Sequence, residues 1–263
     1  MPNISEYKAG NFVKMIYMGN SGAGKTGSLT SLVKAGYKLR ILDLDNLLSV
    51  LIAYCKRDCP DKLSNIEFET CRDKYKATNI GAVVDGVPKA YVRSLQIMTK
   101  WPSDGTSPSE WGEDHIFVID SFTRLSQCAF EWAKGMNPGA KDPRQWFYQA
   151  QQACEQVLSL LTNEGFRSNV IVICHVDYQE RQDGTTEGFV KSIGKALGPT
   201  VPTYFNTVVL AQSSGSGENV KRTITTVPTN MVSLKNPVPF RLDKSLPLDT
   251  GLATLFEKLK EGQ

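Results

Sequence analysis

The residues best suited to chemistry lie in one short run, Gly19-Asn20-Ser21-Gly22-Ala23-Gly24-Lys25-Thr26. Two glycines with four residues between them precede a lysine and a hydroxyl residue, which is the P-loop spacing. Successive backbone N–H groups of such a turn can wrap a polyphosphate, and a following helix adds the positive end of its dipole. Lys25 would then reach the outer phosphates, and Thr26 would set its hydroxyl on magnesium. The expected cradle comprises Gly19, Asn20, Ser21, Gly22, Ala23, Gly24, Lys25, Thr26 and Gly27. Its flanks agree. Residues 12–18 are almost continuously apolar, as a strand buried on both faces should be. After the run, Leu29, Leu32 and Val33 recur at helical spacing until Gly36, a suitable helix stop. The pattern implies a nucleoside triphosphate ligand, with ATP and Mg2+ as the expected cofactors.

A second group of carboxylates fits the same chemistry. Asp120 ends the apolar run Ile116-Phe117-Val118-Ile119. That places it at the carboxyl edge of a sheet, where ligands of open α/β folds collect. There it could hold magnesium through water together with Thr26, and it could also cap the next helix. Many ring-forming ATPases carry a water-activating Glu directly after this Asp; here the position is Ser121. The activating carboxylate must then come from elsewhere. Asp45, two residues beyond Asp43, is the natural candidate, and the two share a face if strand geometry persists. The alternative for Asp45 is a solvated turn residue.

These residues need strands and helices to hold them. Lys38–Asp43 reads as a second strand and residues 46–54 as a short helix. Residues 66–70 alternate like a strand, 87–101 have helical periodicity, and Trp101 to Ser109 read as a surface loop. His115–Asp120 is the clearest core strand, followed by a helix over 121–134, a Gly/Pro break, and a long helix over 144–164. Residues 170–174 form another buried strand ending at His175. Asp177 to Thr203 reads as a long polar, glycine-bearing segment without regular structure, the kind that is usually functional or mobile. Two strands, 207–211 and 221–227, and a helix over 252–260 close the chain. Strands alternating with helices imply an α/β fold with a doubly wound, mostly parallel sheet.

Bulk properties narrow the class without naming a partner. With 263 residues, 41% hydrophobic and 22% charged, the composition is that of an ordinary globular protein. A net charge of +3 permits nucleic acid but does not argue for it. No apolar run is long enough to cross a bilayer, and the first residues lack a signal-peptide layout, so a cytoplasmic location is expected. Of six cysteines, Cys128, Cys154 and Cys174 read as core residues. Cys55, Cys59 and Cys71, even with His115, fit no common zinc spacing, and reduced thiols are the expectation.

The P-loop, a strand ending Asp-x-Asp, the segment Val118-Ile119-Asp120-Ser121-Phe122-Thr123-Arg124-Leu125 and a strand ending in a polar residue together resemble the RecA recombinase core. More narrowly, the chain is similar to the small RecA-like ATPases of bacteriophages, which include single-strand annealing proteins. That resemblance implies a three-layer αβα P-loop NTPase core. It also implies one domain over 1–263, with an insertion at about 55–113 and a strand/helix extension at about 204–263. His175 stands where RecA carries a Gln that senses the γ-phosphate. The segment after it corresponds to a loop that contacts single-stranded DNA, with Tyr178, Arg181, Phe189, Lys191 and Lys195 as the contacts. Its three cations, Arg181, Lys191 and Lys195, face Asp177, Glu180, Asp183 and Glu187, so the electrostatics do not favour DNA. Lys235, in Leu234-Lys235-Asn236, resembles a basic residue that such ATPases insert into a neighbour's nucleotide site. Pro237 stands where a second basic residue is usual, and Arg241 could compensate. Lys25, Asp45, His175 and Lys235 are thus the expected catalytic set. The implied protein is a self-assembling ATPase, ring or filament, acting on single-stranded DNA in recombination or annealing in a phage host's cytoplasm. The alternatives are a motor or loader on protein or duplex DNA, and a nucleotide-gated scaffold with almost no hydrolysis.

Overall fold

The computed structural model describes residues 12–261. Six residues of its first strand, β1 (Lys14–Gly19), show how the sheet is buried. Met15 and Tyr17 enter one hydrophobic core, whereas Ile16 and Met18 enter the other. Side chains alternate across a strand, so a run that is apolar at every position must be covered on both faces.

The chain continues through α1 (Lys25–Ser28), α2 (Thr30–Lys34), β2 (Lys38–Asp43), α3 (Ser49–Asp58) and β3 (Ile66–Thr70). Next come β4 (Tyr75–Thr78), β5 (Gly81–Val84), α4 (Ala90–Thr99), β6 (Gly112–Asp120), α5 (Phe122–Met136) and α6 (Arg144–Thr162). After β7 (Ser168–Cys174), β8 (Val176–Glu180) and β9 (Thr186–Val190) form a hairpin, followed by α7 (Leu197–Thr200). The last elements are β10 (Thr207–Ser214), β11 (Lys221–Thr225), β12 (Ser245–Pro247) and α8 (Gly251–Glu261).

The main sheet has eight strands in the order β3-β2-β6-β7-β1-β10-β11-β12. The first six are parallel, and β11 and β12 are added antiparallel at one side. One core, on the face of α4, α5 and α6, holds Ile97, Leu125, Leu158 and Phe122. The other, beneath α1, α2, α3 and α8, holds Leu29, Leu32, Leu51 and Phe256. This is the three-layer, mostly parallel α/β fold that the strand–helix alternation implies.

Four local readings change. Asp177 to Thr203 is not structureless: Val176 pairs with Val190 and Glu180 with Thr186 in the β8–β9 hairpin. Charged residues and Gly188 broke the alternation that would have revealed it, yet the Gly188 N–H donates to the Met231 carbonyl at 2.6 Å. The helix expected over 46–54 is α3, three residues later, because Asn46 adopts φ 58° and donates its N–H to Asp43 Oδ1 at 2.7 Å. Trp101, expected on a surface loop, is buried. Its indole N–H donates to Glu67 at 2.7 Å, and the Arg40 guanidinium lies 5.6 Å from its ring centroid and 4.6 Å from that of Trp111. The β4–β5 hairpin, finally, was not anticipated, since both of its strands lie in water and carry no burial pattern.

All six cysteines are free and buried. Cys55 and Cys59 belong to one core and Cys71 to the other, so the sheet separates the three residues that had invited a metal. Among the described residues, no three Cys, His, Asp or Glu side chains converge to hold a metal ion.

Candidate functional site

Register brings the chemistry to one edge. Asp43 of β2 is level with Asp120 of β6, which is level with Ile173 of β7; Met18 of β1 is level with Cys174. The P-loop, both acidic strand ends and His175 therefore leave the sheet side by side at its carboxyl edge. Glycine is required within the loop for two different reasons. A Cβ on Gly19 would meet the Ala211 carbonyl oxygen at 2.7 Å, and Gly24 takes φ +91° directly before α1. The loop is fastened from below by Tyr17, whose buried hydroxyl shares a 2.9 Å hydrogen bond with Ser28 Oγ.

Lys25 folds back over the loop and donates from Nζ to the carbonyls of Gly19 at 2.8 Å and Asn20 at 3.0 Å. Burial holds its ammonium below the usual lysine range, opposed by the charge of Asp120. Thr26 Oγ1 donates to Asp120 Oδ2 at 2.7 Å, joining residues 94 positions apart. Burial pushes the Asp120 carboxyl up to about 6, against the pull of that hydrogen bond, and Asp45 and Asp43 push in the same direction. A buried carboxylate short of cationic partners, hydrogen-bonded to the P-loop hydroxyl, is a donor set suited to a hard divalent cation. Thr26 and Asp120 fit magnesium in that sense, and the P-loop amides fit a polyphosphate.

Asp43 and Asp45 separate in role, because strand geometry ends at Asp43. Asp43 is a turn acceptor, taking the Asn46 N–H and a longer 3.4 Å bond from Thr70 Oγ1. The N–H groups of Leu44 and Asp45 both donate to the Asp120 carbonyl, at 2.7 and 3.2 Å. Asp45 alone lines the cleft, with its carboxylate 3.4 Å from Arg124 Nε. Ser121 caps α5, accepting the Arg124 N–H at 3.4 Å.

His175 lines the same cleft as Lys25, Thr26, Asp45 and Asp120. Burial first, then the charge of Lys25, hold its imidazole below the ordinary histidine value, so it is neutral at neutral pH. Its backbone N–H donates to Thr123 Oγ1 at 3.1 Å, and the same hydroxyl donates to the Lys191 carbonyl at 2.8 Å. The Lys191 N–H returns to the His175 carbonyl at 2.8 Å. Thr123 thus pins both ends of the β8–β9 hairpin to α5 beside the cleft.

The five residues expected to touch DNA lie on or just beyond that hairpin, but in unequal states. Tyr178, Lys191 and Lys195 are exposed, Phe189 is half-buried, and Arg181 is paired with Glu187. Lys235 lies apart. Its backbone bonds to Val208 in both directions, its side chain is exposed, and it does not line the cleft. Arg241 is turned toward the end of α8, donating to the Glu261 carbonyl at 2.5 Å.

Several residues of the site were not singled out in the sequence. Arg222 of β11 reaches back 200 positions, 3.4 Å from the Gly22 carbonyl, and Leu248 packs where a Cβ on Gly24 would sit. Tyr54 of α3 lies against Gly27, where a Cβ would meet its ring at 2.9 Å. The phosphate cleft, of about 340 Å³, shares Gly27, Tyr54, Arg222 and Leu248 with an adjoining pocket of about 530 Å³. Both volumes fall in the range of small-molecule sites. Nothing local in the sequence marks Arg222; only the antiparallel return of β11 brings it here.

Comparison with known proteins agrees with the motif. A family model described as an AAA domain matches residues 11–238. No curated protein matches the chain. Among solved structures, the RadB recombinase is similar at 15% identity and TM-score 0.46, over 82% of this chain and 80% of that one. A KaiC-like protein, PH0186, from the archaeon Pyrococcus horikoshii OT3 is similar at 9% identity and TM-score 0.41, over 81% and 77%. The flagellar accessory protein FlaH of Methanocaldococcus jannaschii is similar at 8% identity and TM-score 0.41, over 89% and 83%. The architecture itself stands on the strand order described above.

Proposed function

This chain belongs to the AAA-domain family of P-loop ATPases, and from that premise we propose that it is a magnesium-dependent ATPase that acts on single-stranded DNA in phage-type recombination or annealing. We read it as one domain over 1–263 that assembles with copies of itself. The observation that carries the reading is the 2.7 Å hydrogen bond from Thr26 to Asp120, in a cleft that His175 also lines. The loop amides and Lys25 would grip the phosphates. Thr26 and Asp120 would hold magnesium, which would supply positive charge against the phosphates. Asp45 would orient water, and Tyr54 and the adjoining pocket would receive the nucleoside end. Neutral His175 would meet the terminal phosphate, and its tie through Thr123 to Lys191 supports a link to the β8–β9 hairpin. Lys235, outside its own chain's cleft, would act only across a subunit contact. The test is fluorescence anisotropy of a labelled oligonucleotide, with and without ATP and magnesium in low salt. Nucleotide-sensitive binding is expected; its absence overturns the DNA half of the reading.

A second reading, a nucleotide-gated scaffold with little hydrolysis, is favoured by one observation: Asp45 is engaged by Arg124. Turnover of wild type and Asp45→Ala separates the two. A drop of about 100-fold, the scale of a lost general base, supports the ATPase. Equal, negligible rates support the scaffold.

A further inference from the structure

We propose that the β4–β5 hairpin is the surface on which a single nucleic-acid strand lies, an inference that rests on the DNA reading above but assigns the contact elsewhere. The hairpin leaves β3 at the same sheet edge as the nucleotide cleft. It begins at Cys71, whose N–H donates to the Asp43 carbonyl at 2.9 Å. Among the described residues its two strands pair only with each other, from Tyr75 with Val84 to Thr78 with Gly81, and nearly every residue is exposed. A lone two-stranded hairpin is marginal in water, so an element held out in this way is placed for a partner.

Charge identifies the partner. Residues 72–89 hold Arg72, Lys74, Lys76 and Lys89 against only Asp73 and Asp85. Both acids are engaged. Asp73 accepts the N–H groups of Lys89 and Ala90 at the start of α4, at 2.6 and 3.0 Å, and Asp85 pairs with Lys76 at 2.9 Å. Among the described residues, that leaves the side chains of Arg72, Lys74 and Lys89 without an ion pair. An aromatic platform lies beside Arg72: Tyr75, 61% exposed, lines a shallow cleft with Arg72, Asp73, Arg124, Gln127 and Cys128. Four cations against two acids, with an exposed ring to stack on, suit a phosphate backbone with stacking bases. Ile80 at the tip is 96% exposed, in position to reach between bases. Tyr75 is level with Val84 and Ala77 with Ala82, so these four side chains share one side of the ribbon and offer bases an apolar face, with Lys76, Thr78 and Val83 on the other side.

The experiment compares wild type with the triple variant Arg72→Ala/Lys74→Ala/Lys89→Ala and with Tyr75→Ala. Anisotropy of a fluorescein-labelled oligo(dT) 20-mer is read across 50–200 mM salt, with ATP affinity and sedimentation velocity on each protein. Losing three phosphate contacts should lower the log–log salt slope by about 2 and weaken binding roughly ten-fold. Tyr75→Ala should weaken it about ten-fold with the slope unchanged. ATP affinity and assembly should match wild type in both. Wild-type binding that neither variant weakens overturns this inference and leaves the DNA reading standing. No wild-type binding overturns both. Binding lost only together with self-assembly overturns the inference in favour of an interface between copies.

Discussion

Two β-hairpins leave the same edge of the sheet and differ in every physical respect that matters. The β8–β9 hairpin is tied down: Thr123 holds it at both ends, Gly188 bonds to Met231, and its Arg181 is consumed by Glu187. Its acids outnumber its cations. The β4–β5 hairpin stands largely in water and, among the described residues, carries three cations without an ion pair and an exposed ring. An acidic element packed against His175 is suited to feel what occupies the nucleotide cleft and poorly suited to grip a polyanion. The reverse holds for the other. The difference separates two duties that position along the chain would have assigned to one loop.

Asp120→Asn should break the comparison most widely. With the buried charge gone, magnesium-dependent ATP turnover should fall by at least about 100-fold, measured by phosphate release. The β8–β9 hairpin should then lose its response to nucleotide, while β4–β5 keeps wild-type oligonucleotide affinity without nucleotide. Stability should move the other way. The Asp120 carboxyl titrates at about 6 in the fold, against 3.8 when free. A raised folded value favours the fold below about pH 4, a contribution that is lost as pH rises through 6. The nucleotide-free variant should therefore unfold about 2–3 kcal/mol harder than wild type at pH 7.5, with the gap closing toward pH 4 in urea melts. A variant less stable at pH 7.5 would show that the carboxylate is compensated by something other than a bound cation.

Thr123→Val sharpens the comparison by cutting only the tie between cleft and hairpin. The His175 N–H and the Lys191 carbonyl each lose a partner, which costs about 1–3 kcal/mol. ATP affinity should stay within about three-fold of wild type, since the hydroxyl lies outside the cleft lining. Any slowing of hydrogen exchange in the β8–β9 amides by nucleotide should vanish. Coupling that survives in this variant would locate the relay somewhere other than Thr123.

How much of this was legible in the sequence follows from how local each signal is. The P-loop and Asp120 carry their meaning in adjacent residues, and the buried strands declare themselves by unbroken apolar runs, as Val170–Cys174 does. The three-layer fold follows from those runs. Arg222 was not legible, because its place depends on β11 returning antiparallel beside β10, a pairing 200 residues from Gly22. Nor was Trp101, which sits among turn residues yet is buried by a stack with Arg40 and Trp111 that no window of the sequence contains. Both hairpins escaped because their alternation is short or broken: β4 alternates over only four residues and β5 sets Val83 beside Val84, while β8–β9 carries charge on both sides.

Gly188→Ala probes the smallest term, the docking of β8–β9 alone. Its Cβ would lie 2.9 Å from Val176 Cγ1 and Val232 Cγ2 and 3.1 Å from Tyr178 Cε1. Two of these belong to buried, β-branched valines that must shift, so the cost should be at least about 1 kcal/mol without loss of the fold. Hydrogen exchange at the amides of residues 176–190 and 231–232 should accelerate at least about five-fold, which is that cost expressed as an opening equilibrium. Amides of β4–β5 share no partner with this contact and should exchange as in wild type. Faster exchange in both hairpins would mean that they open as one unit, and the division of labour drawn between them would fail.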